Sequence, residues 1–216
     1  MRRKFAWGAL FALVGTAVAL AADMPPLRGD RFKPLKLDEM TAEQKAVVDS
    51  IMSGPRGSMN GLGGPFNALL RSPDLGDRVQ KVGEYVRFKT SLPQRLNEFA
   101  ILITARHWTS QYEWQAHHVL AMKAGLSPAI ADDIAAGRRP AAMQADEAAI
   151  YDFSRELLDR KHVSDARFDA VRTQFGERGV VDLIGVLGYY TMVSMLLNVD
   201  RYPLPEGVAP PLQALN

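Results

Sequence analysis

The chain has 216 residues, 47% hydrophobic and 23% charged, which suits one globular domain with a substantial core and excludes a disordered chain. Its 26 basic residues nearly balance 24 acidic ones, and no basic face marks a nucleic-acid footprint, so no nucleic-acid partner is expected. With no cysteine, disulfides, thiolate metal sites and Cys nucleophiles are all excluded.

Residues 1–21 read as a signal peptide. Arg2, Arg3 and Lys4 form a positive start, Phe5 to Leu20 an apolar run, and Ala19-Leu20-Ala21 a small-x-small cleavage site. The run is short for a membrane span and is interrupted by Gly8, Gly15 and Thr16, so no stable membrane insertion is expected after cleavage. Removing three of the 26 basic residues brings the mature chain to a net charge of −1, and the expected location is periplasmic or secreted.

Residues 22–40 carry prolines and mixed charge and read as an extended arm, followed by a helical domain over 41–200 and an extended tail over 201–216. Thr41 with Gln44 has capping-box spacing and starts a helix running to about Ser53. Gly54 to Pro65 is glycine-rich, but neither a strand before it nor a Gly-Lys-Ser/Thr after it supports phosphate binding. It reads as a flexible loop able to cover a pocket. A short turn at Phe66–Leu70 precedes Ser72-Pro73, which opens a helix to about Phe88 with Leu75, Val79, Val82 and Val86 on one stripe.

The next helix, about 94–108, is apolar around most of its girth and is therefore buried, yet it carries Glu98. After Thr109-Ser110 another helix runs to Ala124 and stops at Gly125. Further helices are expected at about 128–136 and 145–160, then from a Ser164 cap to Gly176, and finally over Val180–Asn198, apolar on nearly all sides. No stretch alternates as a strand would, so the class is all-α.

Residues 98–127 concentrate the candidate chemistry. Glu113 and His117 lie four apart on one helical face, where a carboxylate orients and charges an imidazole. An antiparallel return through Thr109-Ser110 brings Glu98 opposite His117. Glu98, Glu113 and His117 are the candidate catalytic set, with a structural Glu–His pair as the competing reading. His118, one turn beyond Trp114, packs there or forms a rim, and the two are candidate substrate contacts. His107 suits a helix C-cap. His107, Glu113 and His117 match no recognised zinc signature, and neither a metal nor another cofactor is expected.

Glu98, the run Ser110-Gln111-Tyr112-Glu113-Trp114-Gln115-Ala116-His117-His118 and Ala124-Gly125-Leu126-Ser127 resemble the carboxymuconolactone decarboxylase family, whose superfamily includes the alkyl hydroperoxidase D type proteins. Gly64-Pro65-Phe66-Asn67, Thr90-Ser91-Leu92-Pro93, Gly188-Tyr189-Tyr190-Thr191 and Pro203-Leu204-Pro205-Glu206-Gly207 extend the resemblance over residues 40–207. It implies a compact helical bundle of the alkyl hydroperoxidase D-like type that assembles as a homotrimer or homohexamer. By position Glu98 and His117 match a relay glutamate and histidine, while Ser110 and Glu113 stand where the peroxidase branch has two cysteines. Serine forms no disulfide and glutamate resolves no sulfenic acid, so thiol peroxidase activity is not expected. The decarboxylase branch implies cofactor-independent acid/base chemistry on a small carboxylated or lactone-type substrate, for whose anionic group Arg87 and Arg106 are the candidate cations. The alternative is a non-catalytic small-molecule binder or assembly subunit on the same scaffold.

Overall fold

The structure is a computed structural model that describes residues 29–56 and 62–213. Residues 1–21, where a signal peptide is expected, the first part of the arm, the middle of the glycine-rich loop and the last three residues lie outside the described residues. After a 3-10 turn at Leu37–Glu39, the helices are α1 (Ala42–Ser53), α2 (Phe66–Leu69), α3 (Pro73–Phe88), α4 (Gln94–His107), α5 (Gln111–Lys123), α6 (Pro128–Ala135), α7 (Ala145–Arg160) and α8 (Asp165–Asp200). No strand occurs among the described residues. The class is all-α.

Local chemistry explains most boundaries. Thr41 accepts from Gln44 N while the Gln44 side chain accepts from Thr41 N, closing the expected capping box. Gln144 and Glu147 build an equivalent box at α7. Ser72 and Ser164 stand at N-cap positions as expected, but neither side chain makes a cap bond, and Ser164 Oγ donates to Glu156 at 2.8 Å instead. The two final helices expected from sequence part at Gly176, whose φ of 70° and ψ of 178° leave helical geometry and suit glycine; α8 denotes both together.

α4 is the axis of the fold. Every residue from Leu96 to Arg106 is buried, and α5, α6, α7 and α8 pack around it. Phe99, Ile101, Leu102 and Ile103 meet Phe153 and Ile150 of α7 and Leu183 and Val186 of α8 in one core. Burying each such side chain contributes about 1.5–3 kcal/mol. α8 is long and apolar enough to cross a membrane by length and composition, but 56% of its most apolar window is buried, as in a core helix.

The stripe expected on α3 divides. Val79 and Val86 are buried, whereas Leu75 and Val82 are each 51% exposed. The helix turns its glycines inward instead. A Cβ on Gly76 would stand 2.9 Å from Leu69 O, and one on Gly83 would stand 2.1 Å from the Tyr189 hydroxyl. Close backbone approach, which an apolar pattern cannot register, sets the buried face.

Polar ties lock the periphery. Asp182 of α8 accepts from Tyr85 Oη at 2.9 Å and from Ser91 N and Oγ, both at 2.7 Å. Asp200 Oδ1 accepts from the backbone N–H groups of Arg31 and Phe32, and Asn67 Nδ2 donates to Phe32 O, so the described part of the arm docks on its own chain. The tail folds back likewise. Gln111 exchanges two hydrogen bonds with the Leu212 backbone, at 2.6 and 2.9 Å.

Candidate active site

Three consecutive residues make the turn that builds the site. Trp108 ends α4, Thr109 adopts φ of 46°, and Ser110 precedes α5 with its N–H donating to Ala105 O at 2.8 Å. This tight reversal lays α5 back along α4. Glu98, deep in α4, then faces His117 in the second turn of α5.

His117 is held at both ring nitrogens. Nδ1 lies 2.6 Å from Glu98 Oε2, and Nε2 lies 3.1 Å from Glu113 Oε1. All three side chains are buried. Glu98 is further fixed by Gln94 Nε2, which donates to Oε1 at 2.8 Å, so both its oxygens are engaged. Tyr190 meets the imidazole edge-on with ring centroids 4.9 Å apart.

Electrostatics favour the charged imidazole. Burial alone would lower the His117 pKa, but the Glu113 charge and hydrogen bond, followed by those of Glu98, overcome it and raise the value from 6.5 to about 9. At neutral pH the unit is an imidazolium between two carboxylates. Glu113 lies in the first turn of α5, where the helix dipole interacts favourably with a carboxylate.

The unit opens on its Glu113 side. A cavity of about 260 Å³ is lined by Glu113 and His117, together with Arg56, Arg87, Tyr112, Tyr189 and Tyr190 among others. Glu98 is absent from that lining and stands behind the imidazole. Gly63, Gly64 and Pro65 of the glycine-rich loop form part of the wall, as a pocket-covering loop would. Burial drives the Tyr189 hydroxyl pKa up to about 12 and that of Tyr190 well above 10, so both are O–H groups at neutral pH.

Of the candidate substrate contacts, Arg87 lines the cavity, whereas Arg106, His118 and Trp114 do not. Arg106 points to the far end of α4 and donates from Nη1 to Gln213 O at 2.7 Å. Trp114 is a core residue, and His118 stacks on it with ring centroids 6.1 Å apart. His107 does not join Glu113 and His117 as a metal set, since its Nδ1 lies 3.5 Å from Asp159. No group of three metal-ligating side chains is suitably disposed among the described residues.

Sequence reasoning missed Arg56, Tyr112, Tyr189 and Tyr190 as cavity residues. Arg56 is packed by the Phe66 and Phe88 rings, 5.2 and 5.8 Å from its Cζ. The Tyr189-Tyr190 pair was visible within a recognised motif but carried no assigned role. Ser110 is fully buried with its Oγ unpartnered.

The order and packing of these helices define the AhpD-like fold. A crystal structure of a protein of unknown function from Agrobacterium tumefaciens, proposed to be the antioxidant defence protein AhpD, superposes with a TM-score of 0.54 at 18% identity, covering 64% of this chain and 97% of that one. At that identity the likeness is one of fold. No family model and no curated protein matches the chain.

Proposed function

We propose that this protein carries out cofactor-independent acid/base chemistry, of the decarboxylation or lactone type, on a small carboxylated molecule. The observation that carries the reading is a buried imidazolium held by two carboxylates, with one of them, Glu113, facing a cavity that also presents Arg56 and Arg87. A cavity beside a charged relay suits a working site, whereas a purely structural Glu–His pair needs no opening.

The roles follow from the geometry. Arg56 and Arg87 hold the substrate anion. As the C–C bond to the leaving carboxylate breaks, its electron pair enters a conjugated enolate and carbon dioxide departs. Glu113 and His117 then deliver a proton to the carbanionic carbon. His117 supplies it from Nε2 and retains the Nδ1 proton shared with Glu98, so Glu98 fixes the tautomer and ring orientation without touching substrate. Thiol peroxidase chemistry is excluded by the sequence itself, which has no cysteine.

We also place the protein outside the cytoplasm, on the strength of the basic start, apolar run and Ala19-Leu20-Ala21 motif. Self-assembly is part of the proposal. Val181, Ile184, Met195 and Val199 project from one exposed side of α8, a face suited to a second copy.

The test is a screen of small carboxylated lactones and β-keto acids, scored by carbon dioxide release and by deuterium uptake from heavy water. The expected result is turnover in the wild type that falls at least about 100-fold in Glu113→Gln and His117→Asn. Turnover surviving in both variants contradicts the assignment. Tight binding of the same compounds without turnover favours the alternative, a small-molecule binder.

A further inference from the structure

We infer that the protein holds a small monovalent anion of chloride size at a second site, where α4, the α6–α7 turn and α7 meet around Arg106. This site is independent of the acid/base reading above. Arg106 lies eight residues along α4 from Glu98, about 12 Å at the rise of an α-helix.

Arg106 is 4% exposed, and its guanidinium has no carboxylate partner among the described residues. Nη1 donates to the Gln213 carbonyl at 2.7 Å, while Nε is buried with no hydrogen-bond partner. A buried donor left unpaired costs about 1–3 kcal/mol, and more when it belongs to a charged group. A full positive charge in that state calls for a compensating partner.

The surroundings deepen the deficit. Arg106, Arg138 and Arg155 line one small cavity with Ile103, Ile134 and Tyr151, and no carboxylate among the described residues lines it. Arg138 already pairs with Asp133 at 2.6 Å and Arg155 with Asp159 at 2.9 Å. Those pairs neutralise two of the three guanidiniums. One positive charge, that of Arg106, has no compensating carboxylate at the cavity among the described residues. Burial, then repulsion from Arg155, lowers the Arg106 pKa, consistent with a charge held without its counterion.

Size selects the occupant. The cavity volume of about 30 Å³ exceeds the minimum for one water molecule but leaves no room for a phosphate or an organic acid. A monatomic anion fits the volume, satisfies Nε and restores neutrality, whereas a water molecule does only the first two. Through Gln213 the bound anion would also fasten the tail to the end of α4.

The full chain is compared in sodium chloride and sodium gluconate at matched ionic strength. The larger anion cannot enter the cavity, so the melting midpoint should rise with the logarithm of chloride concentration and not with gluconate. In Arg106→Met that chloride dependence should be lost. Equal midpoints in the two salts for the wild type, or an undiminished chloride effect in Arg106→Met, overturn the proposal. Should the variant fail to fold, wild-type crystals grown in sodium bromide decide the matter. An anomalous peak beside Arg106 Nε supports the site, and a cavity without anomalous signal at saturating bromide refutes it.

Discussion

Glu98 meets His117 Nδ1 at 2.6 Å on the side of the imidazole away from the cavity. That places the carboxylate behind the proton-transfer group rather than beside the substrate, with its second oxygen pinned by Gln94. Truncating it should leave the buried imidazolium with one counter-charge instead of two. Glu98→Ala is expected to destabilise the fold by about 3–5 kcal/mol, the range for a broken buried ion pair. Glu98→Gln, which keeps the shape, should cost less. Chemical denaturation of both variants checks the order, and equal losses would show that the missing charge rather than the missing volume sets the cost.

The raised His117 pKa fixes a pH dependence. The folded value of about 9 exceeds the ordinary 6.5, so the folded state keeps a proton that the unfolded state releases. The stabilisation is complete below pH 6.5 and is lost as pH rises through 9. Unfolding free energy should therefore decline across that window, and His117→Asn should flatten the decline. Denaturation at pH 6, 7.5 and 9 measures it.

Gly83 supports the cavity from a distance. A side chain there would collide with the Tyr189 hydroxyl and approach Arg56 Nη2 at 2.8 Å, and both residues line the cavity. Gly83→Ala should cost about 1–3 kcal/mol from overpacking and weaken ligand binding, because two lining groups must move. Gly188→Ala, with nothing within 4 Å of the added carbon, is the control and should leave binding unchanged.

Thr109 is a β-branched residue at φ of 46° in the turn between α4 and α5. L-residues with branched side chains are strained there, whereas asparagine and glycine are not. Thr109→Asn should raise stability by about 1 kcal/mol, read as an upward shift of the melting midpoint.

Much of this was legible in the sequence because helix periodicity and capping chemistry are local. The Thr41 box, the buried α4 and the 109–110 reversal all follow from adjacent residues, and together they bring Glu98 to His117. Arg106 was misplaced for a geometric reason. It stands eight residues from Glu98, about 80° around a helix buried on every side, and composition does not reveal which neighbour each side meets. Leu75 and Val82 misled because the buried face of α3 is set by Gly76 and Gly83. Arg56 and Tyr189 reach the cavity through tertiary contacts between distant segments, which spacing does not encode.

The most direct test of the relay is the titration of His117 by 15N-resolved NMR. An imidazolium clamped by Glu98 and Glu113 should titrate near pH 9 and, on losing its proton, keep hydrogen at Nδ1. Glu113→Gln should lower that midpoint. A wild-type midpoint at or below 6.5, or a neutral ring carrying its proton at Nε2, would contradict the account.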